Sequence, residues 1–278
     1  MKNKIGFINK GYNVSSFKAL GVLKKKLNTK KVGHMGTLDP LATGCLPFAS
    51  DGLTPLIPYV PKLPKIYVVE IYFGVSSPSL DAEFVDLENL DYKNIDLNLD
   101  RVDEFLLSLQ PAYDQMPPDF SAKKIDGKRA FDLARKGQSV ALKSKNVEFF
   151  SYKILDFKNP ILKMEIACGE GFYVRSLVRD LAKFLNLEAF MFSLERKSVG
   201  PFNINGTKQD EIKFLNLIDV FKDHEIINID SEQYEKLKVG IAPEFDSPKQ
   251  FVFVYFDDTL VYYKVNFQGG FKQRFLIN

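Results

Sequence analysis

Lys31-Val32-Gly33-His34-Met35-Gly36-Thr37-Leu38-Asp39-Pro40-Leu41-Ala42-Thr43-Gly44-Cys45-Leu46-Pro47 is the stretch on which the reading of this chain turns. Gly33, Gly36, Pro40 and Gly44, residues that punctuate backbone structure, fall within it, so it reads as a structured loop rather than a regular element. Asp39 is fixed between Leu38 and Pro40. An Asp-Pro pair alone signals a turn. Here glycines on both sides specify the backbone that presents the carboxylate.

The sequence on either side is periodic. On the N-terminal side, residues 5–8 form a short apolar strand, and Ser15 or Ser16 caps a helix running to about Leu27. Phe17, Leu20, Leu23 and Leu27 share one face of that helix, and Lys18, Lys24, Lys25 and Lys26 make the rest basic. On the C-terminal side, residues 66–75 alternate as a strand, with Tyr67, Val69, Ile71 and Phe73 on one side. A helix follows from about Leu99 through Val102, Phe105, Leu106 and Leu109, and Pro111, Pro117 and Pro118 then break the chain. A short helix is expected over 128–136, strands over 147–157 and 161–168, and a helix over 174–186 with Leu177, Val178, Leu181, Phe184 and Leu185 on its buried stripe. Past Ile226 the texture changes to short β runs, which predicts a small β unit of about fifty residues.

The composition, 45% hydrophobic and 26% charged over 278 residues, is that of an ordinary globular protein with a sizeable core. No apolar run reaches the 18 residues of a membrane span, and the N-terminal apolar stretch is too short for a signal peptide. A cytoplasmic protein with no membrane contact is the expectation. Cys45, Cys168, His34 and His224 lie too far apart in sequence for a familiar zinc site, and no phosphate-cradling glycine loop occurs in a usable context. No metal and no cofactor are expected. The net charge of +3 hides an uneven distribution. Residues 1–31 carry nine lysines and no acid, residues 80–104 nine acids against Lys93 and Arg101, and residues 121–145 eight bases against Asp126 and Asp132. Two basic blocks of this kind suit a polyanion.

Residues 31–47 resemble the G-H-x-G-T-L-D-P-x-A-x-G-x-L-P signature of the tRNA pseudouridine synthase B (TruB) family. Further blocks resemble that family in the same order. They are Lys65-Ile66-Tyr67, then Pro117-Pro118-Asp119-Phe120-Ser121-Ala122-Lys123-Lys124 through Gly127-Lys128-Arg129 to Arg135, then Gly171-Phe172-Tyr173-Val174-Arg175-Ser176-Leu177, and Leu194-Glu195-Arg196-Lys197-Ser198-Val199-Gly200-Pro201-Phe202. Met35 stands where the pattern has Thr, Pro55 where it has Lys, Gly11-Tyr12-Asn13 where it has P-x-G, and Ser77-Pro78 where it has Thr-Asp.

The resemblance implies an α+β fold: a mixed, mainly antiparallel sheet flanked by helices, followed by a small C-terminal β-rich domain of the PUA type. The implied division is 1–225 for catalysis, with an inserted RNA-binding arm at about 118–146, and 226–278 for the appended domain. The implied reaction turns the uridine at position 55, in the T-arm loop of tRNA, into pseudouridine. Asp39 is the implied nucleophile and Arg175 the cation that keeps it ionised. Tyr67 packs on the base and assists proton removal at C5, beside Tyr173 and Leu194. His34 fills the space left when the base flips out, and Asp81 is a further contact to the flipped nucleotide. Lys10, Lys123, Lys124, Lys128 and Arg129 contact RNA. The partner is the tRNA T-arm stem-loop, bound by a monomer with no obligate protein partner.

Three other readings stay open at the level of sequence. One is a non-catalytic RNA-binding module, because Gly33-His34-Met35-Gly36 fits the G-x-x-G loop of KH domains. Another is a hydrolase, which would need a second carboxylate beside Asp39. The third is a sister pseudouridine synthase acting on ribosomal RNA. The basic arm gives a direct test. Neutralising Lys123, Lys124, Lys128 and Arg129 together should weaken RNA binding and flatten its dependence on salt, by up to ~0.9 in log–log slope per lost phosphate contact on the duplex scale. A filter-binding salt titration measures this, and an unchanged slope would place the RNA elsewhere.

Overall fold

The structure is a computed structural model that describes residues 3–90, 94–119, 143–243 and 247–277, together with the backbone of 124–125 and 128–129. In chain order the elements are β1 (Ile5–Lys10), α1 (Ser16–Leu27), β2 (Val32–His34), β3 (Thr43–Ser50), a 3₁₀ segment (Asp51–Tyr59), β4 (Lys65–Phe73), α2 (Leu99–Ser108), β5 (Ala112–Gln115), β6 (Lys124–Ile125), β7 (Lys128–Arg129), β8 (Lys145–Lys158), β9 (Ile161–Cys168), α3 (Val174–Leu185), β10 (Ala189–Val199), β11 (Phe202–Asn203), β12 (Ile212–Phe214), α4 (Leu217–Val220), β13 (His224–Asn228), α5 (Ser231–Lys238), β14 (Phe251–Phe256), β15 (Thr259–Phe267) and β16 (Gly270–Phe275).

The large sheet runs β12-β1-β3-β10-β4-β9-β8-β5, with β2 and β11 paired on β3 and β10. Its strands are antiparallel to their neighbours except β3 and β10, which run parallel, so the sheet is mixed and mainly antiparallel as expected. Tyr67, Val69, Ile71 and Phe73 all face one buried side, where α1, α2 and α3 cover them. The two-residue period of β4 sets this face, while Tyr72 is buried in a smaller cluster on the other side.

Helix α1 begins where the sequence places it: the Ser15 side chain accepts the Lys18 N–H, and the helix ends at Asn28 in the left-handed region. Lys24, Lys25 and Lys26 in its last turn complement the helix dipole. The apolar face, however, differs from the expected one. Phe17 is 82% exposed, and the buried stripe is Ser16, Ala19, Leu20, Leu23 and Leu27. The reason is Ser16, whose hydroxyl donates to the Leu38 carbonyl and accepts the Leu38 N–H. That contact turns position 16 inward and leaves Phe17, about 100° round the helix, facing out.

Residues 31–47 are likewise not loop throughout. Strand β2 pairs with β3, and only 35–42 is irregular. Gly44 acts not as a loop residue but as a close-approach residue at φ 103°: a Cβ there would lie 2.3 Å from the Arg196 carbonyl on β10. The helix expected over 128–136 begins instead as strand β7, paired with β6. The remainder of that segment, and Lys123, lie outside the described residues, as do the side chains of Lys124, Lys128 and Arg129.

The C-terminal β sheet runs β13-β14-β15-β16 and starts at His224. Along β14, Val252 and Val254 face α5, while Phe251 and Phe253 face Ile5, Phe7, Leu53 and Leu56 of the main body. The sheet is therefore separate in hydrogen bonding but continuous in packing. Among the described residues no helix is long and apolar enough to cross a membrane.

Truncation on the two faces of α1 should give opposite results. Leu23→Ala, at a fully buried position, should cost about 2–5 kcal/mol. Phe17→Ala should stay within ~0.5 kcal/mol. Urea unfolding measures both, and a large loss for Phe17→Ala would mean that its ring packs on something after all.

Candidate active site

The irregular segment 35–42 cannot join a sheet ladder, so its buried polar groups need donors from elsewhere. Lys10, at the end of β1, is fully buried, and its ammonium donates to the carbonyls of Gly11, Val14 and Pro40 at 3.0, 2.6 and 3.1 Å. Arg196 on β10 is 1% exposed and donates to the carbonyls of Cys45, Gly36 and Thr37 at 2.7, 3.0 and 3.4 Å. Ser16 holds Leu38. Asp39 is thus presented from a backbone gripped on three sides. Met35 is buried in an apolar cluster, which accounts for an apolar residue at that position.

Asp39 lines a cavity of about 380 Å³ shared with Tyr67, Tyr173, Arg175, Leu194, Lys65, Phe172 and Arg196. Its Oδ2 lies 2.9 Å from Arg175 Nη2, with the Arg175 side chain 6% exposed and that of Asp39 37% exposed. Arg175 also donates to the Ser79 carbonyl at 3.0 Å, and its Nε lies 3.7 Å from Asp81. Tyr67 on β4 stands in register with Arg196 on β10, and Leu194 with Val69, so both strands present side chains to one cavity. Burial pushes the Tyr67 phenol above its ordinary pKa, against the neighbouring Arg196, so at neutral pH it is uncharged. Burial, then Arg196, pulls the Lys65 ammonium down, while Glu170 opposes them.

Of the expected site residues, Asp39, Arg175, Tyr67, Tyr173 and Leu194 are brought together. His34 is not among the residues lining the cavity; it closes β2 opposite Phe48, half-buried, and burial and Arg196 lower its pKa. Asp81 is turned inward, toward Arg175 and the Ser79 hydroxyl at 2.6 Å, rather than toward a bound nucleotide. Lys10 corrects the sequence reading outright. A fully buried ammonium bound to three carbonyls has no phosphate to meet, and burial brings its pKa down to about 8. Arg196 carried no site role in the sequence reading, because a basic residue in a strand gives no sign that carbonyls await it. The G-x-x-G run joins a strand to an irregular segment rather than two helices, which removes the KH reading.

Comparison with known proteins agrees with this architecture. The family model described as TruB family pseudouridylate synthase (N terminal domain) matches residues 24–174. A protein named tRNA pseudouridine synthase B from Campylobacter jejuni subsp. jejuni serotype O:2 is 39% identical over 217 residues, 77% of this chain and 78% of its own. One of the same name from Mycoplasma mobile is 33% identical over 256 residues, 91% and 88% of the two chains. In fold, the chain is similar to a structure titled "Crystal Structure of a Cbf5-Nop10-Gar1 Complex", with a TM-score of 0.59 at 17% identity over 94% of this chain and 78% of that one. The family model and these relatives define the class, the pseudouridylate synthases, which are isomerases. The chain belongs to the TruB family of pseudouridylate synthases.

The position of Lys10 yields a clean test. Lys10→Met should lower the thermal midpoint and leave the salt dependence of RNA binding unchanged, because the ammonium bonds protein carbonyls. A slope reduced by about 0.9 would return Lys10 to the RNA surface.

Proposed function

We propose that this chain is a tRNA pseudouridine synthase that isomerises the uridine at position 55, in the T-arm loop, with Asp39 as the nucleophile. The observation that carries the reading is the ion pair of Asp39 with the buried Arg175 at the wall of a cavity of about 380 Å³, roomy enough for a uracil. The names of the relatives support tRNA as the substrate.

The reaction breaks the N1–C1′ bond of a uridine, turns the base and joins C5 to C1′; the C5 proton leaves and N1 takes one up. Nothing is oxidised or consumed, so the chemistry calls for no redox carrier. Asp39 acts as the nucleophile in covalent catalysis. Arg175 holds and orients its carboxylate, with Nη2 2.9 Å from Oδ2. Among the described residues Asp39 is the one carboxylate lining the cavity, while Lys65, Arg175 and Arg196 also line it. That balance favours a base that departs as an anion over the two-carboxylate chemistry of glycoside hydrolysis. Tyr67, neutral and buried, serves as the platform against which the base turns, with Tyr173 and Leu194 beside it.

The target must leave its stack to enter the cavity, which costs a few kcal/mol. Contacts with RNA phosphates offset that cost, and the arm at about 118–146 is where we assign them, with His34 taking the vacated space. The catalytic unit is 1–225, and 226–278 is an accessory RNA-binding domain. The enzyme works as a cytoplasmic monomer.

Two measurements test the reading. Asp39→Asn should abolish pseudouridine formation while RNA binding stays within about tenfold, since the substitution removes the charge and little else. A T-arm hairpin should be modified nearly as well as whole tRNA, and a hairpin scrambled around the same uridine should not. Equal modification of both hairpins would overturn the substrate, and near-normal turnover by Asp39→Asn would overturn the nucleophile.

A further inference from the structure

We propose that Gln115 is a positioning residue of the catalytic pocket: its carboxamide fixes the backbone of Tyr173, and through it the direction from which Arg175 reaches Asp39. This rests on the assignment of Asp39 and Arg175 above.

Gln115 closes β5, the edge strand of the main sheet, and is 1% exposed. Its Oε1 accepts the Tyr173 N–H at 2.8 Å, and its Nε2 donates to the Tyr173 carbonyl at 3.0 Å. The second N–H of the amide goes to the Tyr113 hydroxyl. Both amide donors are therefore used, and the amide has one workable orientation. Turned over, it would set N–H against N–H and oxygen against oxygen. One side chain thus grips both backbone groups of a single residue, as a neighbouring strand would.

The gripped residue needs this. Tyr173 is the N-cap of α3, a place where Ser, Thr, Asp or Asn normally supplies an acceptor for the first turn. Its own side chain makes no capping bond, since the phenol oxygen lies too far from the backbone to reach the first turn. The first turn of α3 holds no acidic residue either. The next residue on the strand side continues the grip. Met116 offers its carbonyl to the Ser176 hydroxyl at 2.8 Å and to Arg179 at 2.9 Å. The start of α3 is therefore fixed by two successive residues at the end of β5 rather than by a cap of its own.

Arg175 lies in that first turn, two residues past Tyr173. Its guanidinium meets Asp39 at 2.9 Å and the Ser79 carbonyl at 3.0 Å, so a shift of the helix start moves the ion pair directly. A misplacement of about 1 Å in such a constellation can cost on the order of a hundredfold in rate. Gln115 itself does not line the cavity, so its action passes through Tyr173 and Arg175.

The test measures single-turnover rate, RNA affinity and thermal midpoint for wild type, Gln115→Met and Gln115→Glu on the T-arm hairpin. Gln115→Met keeps the bulk and loses every bond. Its rate at saturating enzyme should fall by roughly thirtyfold or more while the dissociation constant changes by less than about threefold, measured well below its melting midpoint. Gln115→Glu keeps an acceptor for the Tyr173 N–H and loses the donor to its carbonyl, so it should fall about tenfold with the same unchanged affinity. It also carries the test should Gln115→Met not fold. Rates within threefold of wild type, or losses confined to affinity, would overturn the role of Gln115. Wild-type protein that fails to modify the hairpin would instead overturn the proposed function.

Discussion

The buried guanidinium of Arg175 is the constraint around which the rest of the site is arranged. Removing such a charge from water is costly unless it is paired and hydrogen-bonded in good geometry. Asp39, Asp81 and the Ser79 carbonyl surround it, but the two carboxylates are not equivalent. The Asp39 side chain is 37% exposed and reaches the cavity, whereas that of Asp81 is 7% exposed and is held by the Ser79 hydroxyl and the Glu83 N–H. Asp81 balances the cation from behind. Asp39 is left with one side toward the cation and one toward the cavity. A single cation thus pairs with a buried carboxylate on one face and a cavity-facing one on the other.

A second use of buried cations explains how a carboxylate can be presented by irregular backbone at all. Lys10 and Arg196 between them serve six carbonyls around residues 36–45 and at the end of β1. An unpaired buried carbonyl costs about 1–3 kcal/mol, so the two side chains replace the ladder that this segment cannot have. Cations spent on carbonyls are lost to RNA. Counting lysines in the first 31 residues therefore overstates the electropositive surface by at least Lys10.

This marks where the sequence was legible and where it was not. Elements with a clear period, such as β4 with Tyr67, Val69, Ile71 and Phe73, could be read because burial on one face is a local property of the chain. The cap at Ser15 and the stop at Asn28 were equally local. The same periodic logic failed for Phe17, since a hydroxyl at Ser16 found partners 22 residues away and set the rotation of the helix. Strand β10 was unread because Glu195, Arg196 and Lys197 interrupt its apolar pattern, and its register shifts twice against β4. The roles of Arg196 and Gln115 are tertiary in origin. Each depends on which backbone groups the fold leaves without partners, and no spacing in the chain reports that. Asp39, Arg175, Tyr67, Tyr173 and Leu194 were legible only through motif resemblance, and the shared cavity is what gives their grouping a physical basis.

The electrostatics of the cavity bear on how the glycosidic bond can break. Burial keeps Tyr67 protonated, so the phenol meets the substrate as a neutral ring and hydrogen-bonding hydroxyl rather than as a ready base. It can take up the C5 proton only by passing its own proton onward. The cations that line the cavity alongside Asp39 would, under the proposed reaction, stabilise negative charge on a detached uracil as it develops, which is how preorganised groups lower a barrier. With no second carboxylate lining the cavity among the described residues, the carboxylic acid of glycoside hydrolysis has no counterpart here, and the proton donors that line it include Lys65 and Tyr67. Under the proposed reaction the base would be held as an anion while it turns, and Tyr67, a β4 side chain beside Arg196, lines the cavity in which it would do so.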